Sequence, residues 1–189
     1  MPCRRFTNLI AFDDAPFDFR AGGRVKVVGA VFADLRLEGV VIGDVAQDGS
    51  DAAEKLAHLV LSSKFDDHTR LVMLQGIALG GFNVVDVTDL HRRLARPILV
   101  VARKPPDMPA MRSALLQHLP DGNARWRMIA TLGPMEPAGK VYIQRVGLSR
   151  EEAAALISRL AVHSHLPEPL RCAHLIAGAL AGGQSRGGA

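Results

Sequence analysis

Thr7 to Asp14 reads T-N-L-I-A-F-D-D, an apolar run that closes on two adjacent carboxylates. The run suits a buried strand, and Asp13 and Asp14 fall where such a strand leaves the core. A core strand that carries an acid to its rim holds that acid still, and hard cations such as Mg²⁺ take carboxylate oxygens. Solvated turn residues would give the same pair, so the meaning of these acids depends on what the chain sets beside them.

Working outward, Ala15 to Gly23 is a turn-rich link whose Phe17 and Phe19 have no strand to belong to; they cover the core or touch a ligand. Arg24 to Ala33 and Leu35 to Val45 are valine-rich and partly alternating, which predicts two more strands around a turn at Asp34 and three antiparallel strands in succession. The period then changes. Ser50 to Lys64 has apolar residues at 52, 53, 56, 57, 59, 60 and 61, a helical stripe. Asp51 and Glu54 have the spacing of a capping box, so Asp51 reads first as a cap and second as a metal ligand. Asp48 precedes Gly49 in the turn before this helix, and the turn itself needs only its backbone.

Arg70 to Gly76, R-L-V-M-L-Q-G, is a continuous apolar run of the kind covered on both faces, which predicts a central parallel strand. The loop after it holds Gly80, Gly81, Asn83 and Asp86. Glycines there permit close backbone approach to a ligand, at the place where strand-end loops of open α/β sheets converge. An ordinary turn, with Asp86 capping the helix through Thr88 to Ala95, is the other reading. Pro97 to Ala102 predicts a second buried parallel strand, and R-K-P-P-D-M-P a stiff basic link carrying Arg103 and Lys104. An amphipathic helix over Ala110 to Leu119 follows, then a short strand at Arg125 to Ala130, a long loop over Thr131 to Gly139 and a last strand at Val141 to Arg145. Ser149 with Glu152 opens a helix to about His163, and Pro167 and Pro169 mark the start of another.

This order predicts a single α/β domain over residues 1–189, with 182–189 a flexible tail. The architecture is ribonuclease-H-like: a mixed five-stranded sheet with helices on both faces. Asp13 would face the Gly76 to Asp86 loop, with the Asp48 turn nearby. No apolar run approaches the ~20 residues needed to cross a bilayer, so no membrane association and a cytoplasmic location are expected. Cys3 and Cys172 lack metal-site spacing and read as free thiols. The net charge of +4 hides a polarity: residues 1–95 carry 11 Lys and Arg against 13 Asp and Glu, and residues 96–189 carry 12 against 6. An acid-bearing half followed by a basic half suits an enzyme that gathers cations beside a polyanion.

The motifs F-D-D at 12–14, D-G-S-D-A-A-E-K at 48–55, G-F-N-V-V-D at 81–86, V-Y-I-Q at 141–144 and P-E-P-L-R-C-A-H-L-I-A at 167–177 together resemble a mainly archaeal family of endonuclease V homologues. Some of its members carry the name endonuclease dU, for cleavage of deoxyuridine-containing DNA. The resemblance runs from about residue 4 to the C-terminus. It implies a ribonuclease-H-like, Mg²⁺-dependent enzyme in which Asp13 matches the first-strand carboxylate. The chain departs from endonuclease V at Gly76, read as the position of that enzyme's central-strand aspartate, and has no clear counterpart of its helix glutamate.

Two functions follow. The first is a metal-dependent endonuclease on DNA or RNA, acting at deaminated bases such as deoxyuridine or inosine, with Mg²⁺ or Mn²⁺ activating water. Asp13, Asp14, Asp48 and Asp51 would hold the metal, and Asp86 would stand in for the missing aspartate. His174 would orient a carboxylate, give a proton to a leaving oxygen or fill a polar gap, while Gly80, Gly81, Asn83, Arg103, Lys104 and Arg171 would contact nucleic acid. For Arg171, pairing with Glu168 three residues away is the competing role. The second function is a nucleic-acid-binding domain that keeps the fold without the catalysis.

Overall fold

Seven strands of the computed structural model, which describes residues 5–185, form one mixed sheet. β1 (Asn8–Asp14), β2 (Arg24–Ala33) and β3 (Arg36–Ala46) are antiparallel neighbours. α1 (Ala52–Leu61) then crosses over, so that β4 (Leu71–Gln75) pairs parallel to β1. A small hairpin of β5 (Ala78–Leu79) and β6 (Asn83–Val84) and the helix α2 (Val87–Leu94) lead to β7 (Ile98–Ala102), parallel to β4. After α3 (Met108–His118) and α4 (Gly122–Thr131), β8 (Glu136–Ala138) and β9 (Val141–Val146) add antiparallel strands beyond β7. α5 (Arg150–Leu160) and α6 (Glu168–Gly182) close the chain. The sheet order is β3-β2-β1-β4-β7-β9-β8, a ribonuclease-H-like core of five strands extended by two.

Strand alternation divides the core. Ile10 and Phe12 of β1, with Val72 and Leu74 of β4, pack on α1 and α2 on one face. Leu9 and Ala11, with Leu71 and Met73, pack on α5 and α6 on the other. Because β1, β4 and β7 are parallel, Asp13, Gln75 and Ala102 reach the same rim. Ser149 and Glu152 form the expected capping box at α5. Among the described residues no helix is long and apolar enough to cross a membrane.

Three local expectations are corrected. Residues 125–130 are not a strand but part of α4, whose buried positions Gly122, Arg125 and Ile129 have helical spacing. A buried arginine, read as an exposed polar residue, produces the false alternation. Within 131–139, β8 pairs with β9 at the sheet edge, where Pro137 costs no ladder bond to an outer neighbour. Gly182, expected to open a flexible tail, instead ends α6, and Gly183 caps it with φ 76°. Cys3 and residues 186–189 lie outside the described residues.

Gly122 reports directly on the α3–α4 contact. A Cβ added there would stand 2.0 Å from the Leu115 carbonyl oxygen, which is backbone and cannot rotate away. Gly122→Ala should therefore lower stability by about 1–3 kcal/mol in urea denaturation, whereas a loosely held segment at this position would tolerate the methyl group.

Candidate active site

The two carboxylates that end β1 part company. Asp13, 4% exposed, continues the Leu9–Ala11 face and meets α6, where His174 donates through Nδ1 to its Oδ2 at 2.7 Å. Its Oδ1 accepts from the Asp14 N–H at 3.0 Å. α6 brings His174 there because the small Ala173 and Ala177 let it settle against the sheet. With its Nδ1 proton held by the carboxylate, the imidazole keeps Nε2 for exchange with a ligand or with water. His174 is 36% exposed on its side chain and lines a cleft that opens beside the rim.

Asp14 belongs to the opposite face. Its Oδ2 accepts from the Gly80 N–H at 2.7 Å, and the Gly80 carbonyl in turn accepts from the Asp48 N–H at 2.9 Å. Asp48 has φ +52°, and its Oδ1 accepts from the Phe82 N–H at 2.8 Å. Gly81 sits so close that a Cβ would stand 2.4 Å from Asp48 Oδ1, at φ +88°. The glycine pair thus admits a carboxylate of this chain. Burial pushes the Asp14 carboxyl up to about 6; the Gly80 N–H opposes the shift and the neighbouring Asp13 charge adds to it.

Arg125 holds the same loops from below. It is 7% exposed, and its Nη1 reaches the carbonyls of Asp48 at 2.8 Å, Gly49 at 2.6 Å and Phe82 at 2.7 Å. Its Nε donates to Asp121 at 2.9 Å. Sequence reading missed this clamp because it placed Arg125 on a strand.

Several expected site residues serve other ends. Asp51 does not cap α1 through its side chain: Oδ1 accepts from the Ala46 N–H at 3.0 Å and from Asn83 Nδ2 at 2.7 Å, and Oδ2 lies 3.5 Å from Arg24. Burial alone would raise its carboxyl, but these donors and the arginine charge hold it below the usual range. These partners tie the expected metal ligand to the Ala46 backbone, Asn83 and Arg24. Asn83, fully buried, spends its other bonds on the Ala46 carbonyl and the Ala52 N–H, so it braces the hairpin against α1 and does not face nucleic acid. Asp86 caps α2, accepting from the Asp89 N–H at 2.9 Å, and borders a depression with Glu54, Asp89 and Arg93, not the cleft of His174. It does not replace a rim aspartate. Arg171 forks onto Glu168 at 2.8 and 2.6 Å, and this pairing holds the Glu168 carboxyl below its usual range. Arg103 and Lys104 are exposed just past the end of β7, at the same rim as Asp13.

The position beside Asp13 on β4 is Gln75, one step beyond the Phe12–Leu74 pair; Gly76 already turns away at φ +82°. Gln75 is thus the residue that sequence reading missed, since it took Gly76 for this position. Its Oε1 is buried with no hydrogen-bond partner. Among the described residues no three His, Cys, Asp or Glu side chains converge as a closed metal cage requires. The donors that do fit a hard cation are the Asp13 carboxylate and the orphaned Gln75 oxygen, because Mg²⁺ is commonly held by one or two protein oxygens and completed by water and phosphate.

With this geometry in view, the chain's likenesses can be read. The family model for endonuclease dU matches residues 5–181. A UPF0215 protein from Deinococcus radiodurans is 46% identical over 183 residues, covering 97% of this chain and 93% of that one. A crystal structure of a protein of unknown function from Archaeoglobus fulgidus superposes with a TM-score of 0.84 at 35% identity, over 92% of this chain and 97% of that one. Endonuclease V of Ciona intestinalis, solved with DNA containing an inosine, shares the fold at a TM-score of 0.57 and 12% identity, over 89% of this chain and 83% of that one.

The raised Asp14 carboxyl gives a signed pH effect. Its folded value of about 6 exceeds the ordinary 3.8, so its contribution is whole below 3.8 and drains as pH rises through 6. In EDTA, Asp14→Asn, which keeps an oxygen for Gly80, should gain on the wild type between pH 4 and pH 8 by on the order of 2 kcal/mol. A stability difference that stays flat across that range in denaturant titrations would mean the carboxyl is not so perturbed.

Proposed function

From its membership of the endonuclease dU family, to which this chain belongs, we propose that the protein is an endonuclease that hydrolyses phosphodiester bonds within DNA or RNA, at deaminated bases such as deoxyuridine or inosine. The observation that carries this reading is the buried Asp13 carboxylate bonded at 2.7 Å to His174, at a strand-end rim that borders an open cleft. In the proposed reaction a water oxygen bonds to phosphorus and the bond to the leaving oxygen breaks. Asp13 fixes the imidazole in place, and His174 passes a proton from Nε2 to the leaving oxygen. The proton released by the attacking water returns to solvent, and the imidazole reloads from it. Arg103 and Lys104 meet phosphates along the rim.

Asp13 and Gln75 would hold Mg²⁺ or Mn²⁺. Such an ion, when bound, supplies a polarised phosphate and a more acidic water. One observation favours a second reading, a nucleic-acid-binding domain without catalysis: Gln75 is neutral at the strand end beside Asp13, where a further acid would strengthen the hold on a cation.

The test is nicking of labelled oligonucleotides that contain deoxyuridine, deoxyinosine or ribo-inosine, with Mg²⁺, Mn²⁺ or EDTA. Asp13→Asn and His174→Ala should each lose about a hundredfold or more in rate with circular dichroism unchanged. Full activity of Asp13→Asn would remove that carboxylate from the mechanism. Retardation of the oligonucleotides without cleavage under every metal condition would favour the binding domain.

A further inference from the structure

Gln75 ends β4 beside Asp13, one step past the Phe12–Leu74 pair. Leu71 and Met73 pack on the α6 face and Val72 and Leu74 on the other, so the alternation of β4 carries the Gln75 side chain to the face of Asp13 and His174. Its Oε1 is buried without a hydrogen-bond partner. A buried carbonyl oxygen left without a donor counts against folding, so packing does not explain a glutamine here. The Asp13 carboxylate is itself partly engaged, since His174 holds Oδ2 and the Asp14 N–H holds Oδ1. Asp14 turns to Gly80 on the opposite face. On the α6 face, the ends of β1 and β4 thus offer a hard cation one shared carboxylate and one neutral oxygen.

We infer that Gln75 makes cation binding at this rim conditional on nucleic acid: the free protein holds Mg²⁺ or Mn²⁺ weakly, and a phosphate supplies the negative charge that an acid at position 75 would otherwise give. The inference rests on the endonuclease reading and concerns the regulation of that same site. Cation affinity follows the number of charged oxygens in a site, and Mg²⁺ is commonly held by one or two carboxylates together with substrate phosphates. An acid beside Asp13 would remove the condition, because two neighbouring buried carboxylates oppose each other until a cation joins them. Linkage makes the effect reciprocal. The factor by which nucleic acid tightens the cation is the factor by which the cation tightens nucleic acid.

The experiment uses the full chain, Mn²⁺ binding read by electron paramagnetic resonance, and a labelled deoxyuridine oligonucleotide with phosphorothioate linkages, which resist cleavage, read by fluorescence anisotropy. The wild type should bind Mn²⁺ about tenfold or more tightly with the oligonucleotide than without it, and the oligonucleotide more tightly by the same factor with Mn²⁺ than in EDTA. Asp13→Asn controls for ions carried by the oligonucleotide alone and should lose the coupling. Gln75→Glu should bind Mn²⁺ about tenfold or more tightly without the oligonucleotide, and its melting temperature should fall in EDTA and recover with Mn²⁺. Gln75→Met fills a similar volume without the oxygen; it should keep the wild-type melting temperature and lose the coupling, and it decides the matter if Gln75→Glu does not fold. Equal Mn²⁺ affinity of the wild type with and without the oligonucleotide would overturn the inference, as would undiminished coupling in Gln75→Met. If an oligonucleotide with ordinary linkages is still nicked in either case, the inference falls alone; a wild type that neither binds nor nicks takes the endonuclease reading with it.

Discussion

The two-residue period of β1 is the constraint from which the candidate site follows. Adjacent residues of a strand face opposite ways, so Asp13 and Asp14 cannot share one pocket however close they stand in sequence. Asp13 is committed to the α6 face and to His174, and Asp14 to the Gly80 loop on the other. The parallel register with β4 and β7 then decides what accompanies them, because three strands that run the same way end at the same rim. A one-residue slip of β1 would bury Asp14 against α6 and turn Asp13 toward the loop, undoing both bonds at once.

The loop side of the rim is built by backbone more than by side chains. Gly80 gives its N–H to Asp14 and its carbonyl to the Asp48 N–H, while Phe82 gives its N–H to the Asp48 carboxylate. One guanidinium, on Arg125, gathers three carbonyls from the same two loops. Buried carbonyls need donors, and a planar arginine supplies several at fixed angles, so one residue of α4 settles the position of two loops far away in sequence. The acids of this region are therefore held in place before any ligand arrives.

Much of the fold was legible because its signals were local. The valine-rich strands, the buried run at 70–76, the helical stripe of α1 and the Ser149 box each declare themselves within about ten residues, and each is present. The sequence misled where one polar residue was buried. Arg125 made a helix look like a strand, and Asp51 and Asn83 looked like ligands while serving as a clasp between β3, β6 and α1. Of the site, Asp13, Asp14, Asp48, Gly80, Gly81 and His174 could be picked by type and position, and the structure gathers them at one rim. Gln75 could not, since only the register with β1 shows which letter of L-Q-G stands beside Asp13.

That glutamine bears on how the rim is charged. The Asp13 charge already helps to raise the Asp14 carboxyl, even from the opposite face. A third acid at position 75 would add a like charge beside Asp13 in a buried place, at a cost that only a resident cation could offset. A carboxamide presents the same kind of oxygen with no charge. The rim would then, on the proposed reading, stay folded without an ion and accept a polyanion with less repulsion, while a cation brought in by the phosphate would meet Asp13 and the unpartnered oxygen of Gln75. On the proposed reading the cation and the nucleic acid would arrive together, each supplying part of what holds the other.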